Sequence, residues 1–181
     1  AQCSPDGAFL VVTHAGTHEV SVIDREALHQ RLNDLTIAGG FSETPEDVPN
    51  DLGFLNSIRH RIELDLNGPR SVAITGDTAW VAGWFSGSLD TVTLSTGQPG
   101  ALRVANPSGL ERLSDHRYGE MLFNDATETY QAWLSCPSCH PDGRADGLNW
   151  DLGNDGLGSP RNARSLLLSH ETPPVMISGV R

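Results

Sequence analysis

The chain has 181 residues, enough for one large domain or two small ones, and sets 12 Lys plus Arg against 23 Asp plus Glu, a formal net charge of −11. Nucleic-acid phosphates and anionic lipid surfaces both require a cationic face, so this balance argues against either as a partner and fits plain solubility or a partner of basic surface. No run of about 18 apolar residues offers a transmembrane helix.

From the N-terminus, the turn Ser4-Pro5-Asp6-Gly7, the β-rich run Phe9 to Thr13, the turn Ala15-Gly16-Thr17-His18 and the run Glu19 to Asp24 predict a hairpin. Residues 69–94 repeat the plan. Pro69 to Ile74, the turn Thr75-Gly76-Asp77, the strand Thr78 to Ala82, the turn Phe85 to Ser88 and the strand Leu89 to Leu94 place Gly76 against Gly7, Val81 against Val12, Leu89 against Val20 and Val92 against Ile23 at one constant offset. The wording S-P-D-G followed by V-V-T-x-A-G-T-x-x-V-S-V-I-D resembles the blade repeat of YVTN-type β-propellers, within the wider WD40-like and NHL-like class. That resemblance implies antiparallel blades. A blade usually takes about 40 to 45 residues, so the longer offset requires an insertion between the two.

The insertion falls at about residues 25–60. Leu28, Leu32 and Leu35 form a helical stripe behind Asp24 as N-cap, Ile37 to Asn50 is loop, and Asp51 to Arg61 is expected as a second short helix around Leu52, Leu55 and Ile58. Arg61 to Leu66 then alternates as a strand with one buried face. Two blades cannot close a ring, whose smallest form takes about four. The strands of residues 1–105 are therefore expected to form an incomplete sheet assembly, a piece of a longer protein.

Residues 95–116 are turn-rich and carry the expected domain boundary, with a small, mostly α domain over 110–181. In it Arg117 to Leu134 spaces apolar groups as a short helix does, leading to Cys136-Pro137-Ser138-Cys139-His140. C-x-x-C-H is the attachment pattern of c-type haem: each thiol adds to one porphyrin vinyl group and the adjacent imidazole becomes the proximal iron ligand. Half of a zinc site is the alternative, but the remaining cysteine is Cys3, far upstream, and no second C-x-x-C completes it. A redox dithiol would need a thioredoxin-like βαβ pattern, which is missing. Cys3 has no assignable partner.

Gly119-Glu120-x-Leu122-Phe123-x-Asp125 followed by Ser135-Cys136-x-Ser138-Cys139-His140 is similar to the cytochrome c domains of the bacterial di-haem peroxidase and MauG-like group. Ser159-Pro160-Arg161-Asn162 and Thr172-Pro173-Pro174-x-Met176-x-x-Gly179-x-Arg181 resemble that group's loop after the haem motif. The resemblance covers residues 117–181 and implies a cytochrome c-like fold with one haem c here. The helix that usually closes such a fold does not follow Met176 within the sequence.

Met176, in a Pro-rich loop, is one candidate sixth ligand and would raise the haem potential; His170 is the rival and would lower it; a vacant distal site is the third option. Arg144, Arg161 and Arg164 are candidate partners for the haem propionates, and Trp150 and Trp133 for the porphyrin face or edge. Asp142 to Gly147 and Asp151 to Gly156 look like calcium loops but lack the EF-hand ligand order, so Asx-Gly turns are the plainer reading.

Three functions follow. The first is an extracytoplasmic electron-transfer module, periplasmic or extracellular. The second is a haem peroxidase or MauG-like oxidase with an open distal face, against which stands the single C-x-x-C-H. The third is a propeller-based binding or scaffold protein with an accessory haem. Covalent haem is installed outside the cytoplasm, yet the sequence opens at Ala1-Gln2-Cys3-Ser4-Pro5 with no export signal, so an N-terminal continuation is expected.

Overall fold

A computed structural model describes residues 1–38, 42–106, 113–151, 158 and 160–172. The chain divides into two units, Ala1–Met121 and Leu122–Arg181. The first is built from two four-stranded antiparallel sheets. Strands β1 (Gln2–Cys3), β2 (Phe9–His14), β3 (Glu19–Asp24) and β4 (Arg59–Glu63) pair in sequence order, as do β5 (Pro69–Thr75), β6 (Thr78–Gly83), β7 (Leu89–Thr93) and β8 (Gln98–Val104). The repeat seen in sequence is thus a repeat of sheets: β2 aligns with β6 and β3 with β7. Gly7 and Gly76, equivalent by that alignment, both sit in turns at positive φ (76° and 56°), where a Cβ would be strained.

Alternation along paired strands sends every second side chain to the same face. In the first sheet Val11, Val20, Val22 and Ile62 share a face, and in the second Ala79, Val81 and Val92 do so; together with Leu64, Leu66 and Leu94 they form one buried cluster, against which Phe9, Val72 and Ile74 pack. The two sheets therefore bury one face each against the other. Each fully buried valine or leucine here contributes about 1.5–3 kcal/mol relative to exposure, and the β-branched residues that dominate the cluster are those that suit a half-buried pleated surface.

The insertion separates β3 from β4. Helix α1 (Arg25–Asn33) starts where Asp24 accepts a hydrogen bond from the Ala27 N–H at 2.9 Å, as its N-cap role requires. The leucine stripe is not what anchors it: Leu32 is exposed, and the buried residue of α1 is Arg31. Its guanidinium donates to the carbonyls of Phe54 and Asn56, both at 2.7 Å, and to Ser57 Oγ at 2.9 Å. This explains why the expected second helix over 51–61 does not form. Two carbonyls of that segment are held by Arg31 and Ser57 lies at φ 64°, so residues 52–58 are successive turns, and the strand begins at Arg59 rather than Arg61. Phe54 and Ile58 are buried, while Leu52 faces solvent.

Strand β8 was hidden by its first residues, since Gln98-Pro99-Gly100 reads as turn; the alternation of Leu102, Arg103 and Val104 is its only signal. Arg103 reaches Asp90 across the β7–β8 pair and also Asp65. Helix α2 (Asp115–Asn124) begins in the first unit, where Trp84 fixes it. Arg117 donates to the Trp84 carbonyl at 2.9 Å, Trp84 Nε1 donates to Glu120 Oε1 at 3.2 Å, and the guanidiniums of Arg70 and Arg117 lie 5.3 and 5.0 Å from the indole centre. No helix among the described residues is long and apolar enough to cross a membrane.

One titratable group in the first sheet gives a pH test. His14 Nε2 lies 2.8 Å from Ser21 Oγ, and burial, followed by the charge of Arg61 and Arg59, lowers the imidazole's pKa from its ordinary 6.5 against the opposing pull of Glu19. The unfolded chain then binds the proton more readily than the folded one. The associated stability is intact above the ordinary value and is lost as pH falls below it. Urea midpoints measured from pH 7.5 to 5 should fall more steeply for the wild type than for His14→Gln; parallel curves would contradict the assignment.

Candidate functional site

In the second unit, helix is confined to short pieces among the described residues. Beyond the end of α2 these are the single turn α3 (Cys136–Cys139) and 3-10 turns at Tyr130–Ala132, Pro141–Gly143 and Ser169–Glu171, joined by the two-residue strands β9 (Asn149–Trp150) and β10 (Arg161–Asn162). The turn Pro141–Gly143 packs on α3, and β9 pairs with β10. The Ser135 N–H donates to Ser138 Oγ at 3.1 Å and the Ser138 N–H to the Ser135 carbonyl at 2.9 Å, so the serine between the two cysteines holds the start of the turn that carries them. Pro137 occupies the first turn, where its missing N–H is no loss.

Both thiols are unbridged, Cys136 exposed and Cys139 half-buried. The Cys139 thiol is pushed up by burial first, then by the charges of Asp146 and Cys136. The His140 N–H closes on the Cys136 carbonyl at 2.9 Å, and the ring nitrogen Nδ1 lies 3.1 Å from the Arg144 carbonyl oxygen. A carbonyl only accepts, so Nδ1 carries the proton and Nε2 keeps the lone pair. An outer hydrogen bond of this kind is what orients a metal-binding imidazole.

Downstream residues fold back onto the motif. Asp146 N–H donates to the Cys139 carbonyl at 3.2 Å and Leu166 N–H to the Gly143 carbonyl at 2.8 Å. Asp146 also accepts from Leu148 N–H at 2.9 Å and from Trp150 Nε1 at 2.7 Å. These bonds, the Leu148 amide first, hold its carboxyl below the ordinary range, and His140 adds to the effect. This segment, read in sequence as a calcium loop or an Asx turn, spends its Asp146 carboxylate on an Asx turn and an indole. Among the described residues no group of three or more His, Cys, Asp and Glu is placed to hold a metal ion.

The surroundings suit a large apolar group. Ala126 is the one buried hydrophobic residue of the second unit among those described, while Tyr130 and Trp133 are 82% and 75% exposed and Leu148, Leu167 and Leu168 are more than half exposed. Among the described residues of this unit the large apolar side chains lie mostly outside and almost none within. The donor set and this uncovered apolar surface together fit a covalently attached haem.

No family model matches the chain. Over 64 residues it is 42% identical to the hydrazine synthase subunit gamma of Kuenenia stuttgartiensis, a stretch that makes up 35% of this chain and 18% of that protein. The match thus spans under a fifth of the relative's length.

The remaining candidates are placed as follows. Trp150 is half-buried on β9, paired with Arg161 on β10, its indole N–H committed to Asp146. The side chains of Arg144, Arg161 and Arg164 are exposed, and it is Arg144's backbone that serves the site. His170 is exposed, with Nε2 3.5 Å from Glu171 Oε1. Cys3 is exposed on the edge strand β1. Met176, Ser159 and most of the second acidic loop, 152–157, lie outside the described residues. Residue-type reading gave no role to Ser138 or to the Arg144 carbonyl, and reached Asp146 only through the D-G-x-x-D-G run.

Proposed function

We propose that this chain is an extracytoplasmic electron-transfer protein carrying one c-type haem, attached through Cys136 and Cys139 with His140 as proximal ligand. The observation that carries this is the pairing of two unbridged thiols on one turn with an imidazole whose Nδ1 is engaged by the Arg144 carbonyl. When bound, the haem supplies a one-electron iron couple. The chain's own residues would hold it: Cys136 and Cys139 as the covalent anchors, and the Arg144 carbonyl orients the His140 ring. Met176 is the proposed sixth ligand, with His170 the rival, and the exposed Arg144, Arg161 and Arg164 are the proposed partners of the propionates.

In this reading residues 110–181 are a cytochrome c-type domain akin to the di-haem peroxidase and MauG-like group, and the two sheets are YVTN-type propeller blades. The likeness to a subunit of hydrazine synthase supports a place in a multi-subunit assembly, with a basic fellow subunit as redox partner for this acidic chain, and the covalent haem supports the periplasm as its location.

Optical spectroscopy of the haem-loaded protein tests the electron-transfer role. Low-spin ferric haem with a weak far-red thioether band, lost in Met176→Ala, is expected. A high-spin ferric spectrum that changes on adding peroxide would replace electron transfer by the peroxidase reading.

A further inference from the structure

Both oxygens of the Asp146 carboxylate are held. Oδ1 accepts from the Leu148 N–H at 2.9 Å and Oδ2 from the Trp150 indole N–H at 2.7 Å, while the residue's own N–H donates to the Cys139 carbonyl at 3.2 Å. Trp150 is tied down in turn, opposite Arg161 in the β9–β10 pair. A carboxylate in water ordinarily moves among several rotamers; this one is fixed and acts on its neighbours from a constant distance. The amide and the indole are neutral donors, so they hold the carboxylate without cancelling its charge.

Those neighbours belong to the haem motif. Asp146 is bonded through its backbone to Cys139, and the carbonyl two residues before it, that of Arg144, engages His140 Nδ1. The electrostatics agree with the geometry. Burial and then the Asp146 charge push the Cys139 thiol up, and His140 acts on the Asp146 carboxyl after the Leu148 amide and the indole. A fixed negative charge thus lies beside the side chain assigned as proximal ligand, and neither thioether formation nor iron ligation uses it.

On the haem reading, on which this role rests, we propose that Asp146 sets the haem potential: its charge favours the ferric over the ferrous state and lowers the midpoint. Ferric iron gives the haem one more positive charge than ferrous iron, so a nearby carboxylate stabilises the oxidised state more. Axial ligands, outer hydrogen bonds and burial are the usual levers on a haem couple, and a fixed charge adds to them. Asp146 acts through the field at His140 and is no iron ligand. Its effect is therefore independent of whether Met176 or His170 supplies the sixth ligand.

The test is a spectroelectrochemical titration of the wild type, Asp146→Asn, Asp146→Ser and Asp142→Asn, each first shown by intact mass to carry covalent haem. At low salt Asp146→Asn should raise the ferrous-to-ferric ratio at a fixed solution potential by about three- to tenfold. Asp146→Ser, whose hydroxyl can still accept from the Leu148 N–H, should act in the same direction. Both increases should shrink as the Debye length falls from about 30 Å at 0.01 M salt to about 3 Å at 1 M. Asp142 is exposed on the same loop, and Asp142→Asn should move the ratio much less. An unchanged ratio in both Asp146 variants overturns the proposal. So does an increase undiminished at 1 M salt, which would trace the change to a loosened loop, or an equal increase in Asp142→Asn, which would trace it to net charge. Loss of haem from both Asp146 variants, with Asp142→Asn loaded, would make Asp146 a folding residue and overturn it too. A wild type without covalent haem overturns the haem reading itself; every other adverse result leaves that reading standing.

Discussion

The Cys136→Ala, Cys139→Ala double variant, produced alongside a c-type maturation system, should lose all haem on acid–acetone extraction or denaturing electrophoresis. Each thioether forms when a thiol adds across a vinyl double bond, sulfur to one carbon and hydrogen to the other, so two cysteines give two covalent anchors and none gives none. The single variants should each keep a fraction of covalent haem through one thioether, with a pyridine haemochrome band displaced towards that of a haem retaining one vinyl group. Far-UV circular dichroism separates this from misfolding. Both cysteines belong to the second unit, whereas the eight-stranded sheet pair has its own core in the first, so the β-sheet signal should survive in all three variants. Haem that survives extraction in the double variant would have to be bonded to another side chain and would contradict the assignment of Cys136 and Cys139.

Arg31→Ala should be the most damaging single substitution in the insertion, lowering the stability of the first unit by roughly 3–4 kcal/mol. Arg31 is only 9% exposed, and its guanidinium makes three bonds, to the Phe54 and Asn56 carbonyls and to Ser57 Oγ. Truncation leaves those carbonyls in partly buried surroundings with no donor to replace it. The carbonyls also hold residues 52–58 in turns that bury Phe54 and Ile58, so the loss propagates to apolar packing. Arg31→Lys should recover less than half of the loss, because an ammonium on a single stem cannot span a fork-shaped set of acceptors. Urea titration with hydrogen exchange over residues 51–58 measures both. A shift of Arg31→Ala within about 0.5 kcal/mol, the range of ordinary surface substitutions, would mean that the segment is held by something else.

The repeat was legible because it rests on turn chemistry and side-chain alternation, both written in residue type: Gly7 and Gly76 mark equivalent turns, and β2 and β6 follow them at the same distance. Two elements were not. Leu52, Leu55 and Ile58 have helical spacing, but the segment's backbone carbonyls go to an arginine more than twenty positions upstream, and a long-range donor leaves no local trace. Strand β8 opens on Gln98-Pro99-Gly100, residues that usually end strands, and is held at the edge by pairing with β7. At the site the division is similar. Cys136, Cys139 and His140 announce themselves because covalent attachment demands those residue types in that order. The groups that orient them do not, since the acceptor for His140 is the backbone of Arg144 and any residue could supply it. The run Asp142 to Gly147 was read as an Asx-Gly turn in preference to a calcium loop, and Asp146 does accept from the Leu148 amide, while its bond from the Trp150 indole left no trace in residue type.

The most direct test is the intact mass of the purified wild-type chain, denatured and free of reductant-labile ligands, together with its pyridine haemochrome spectrum. The account predicts one haem mass added per polypeptide, retained through denaturation, with the spectrum of a haem whose two vinyl groups are both saturated. A chain at its bare polypeptide mass, colourless or holding one zinc ion through Cys136 and Cys139, would contradict it.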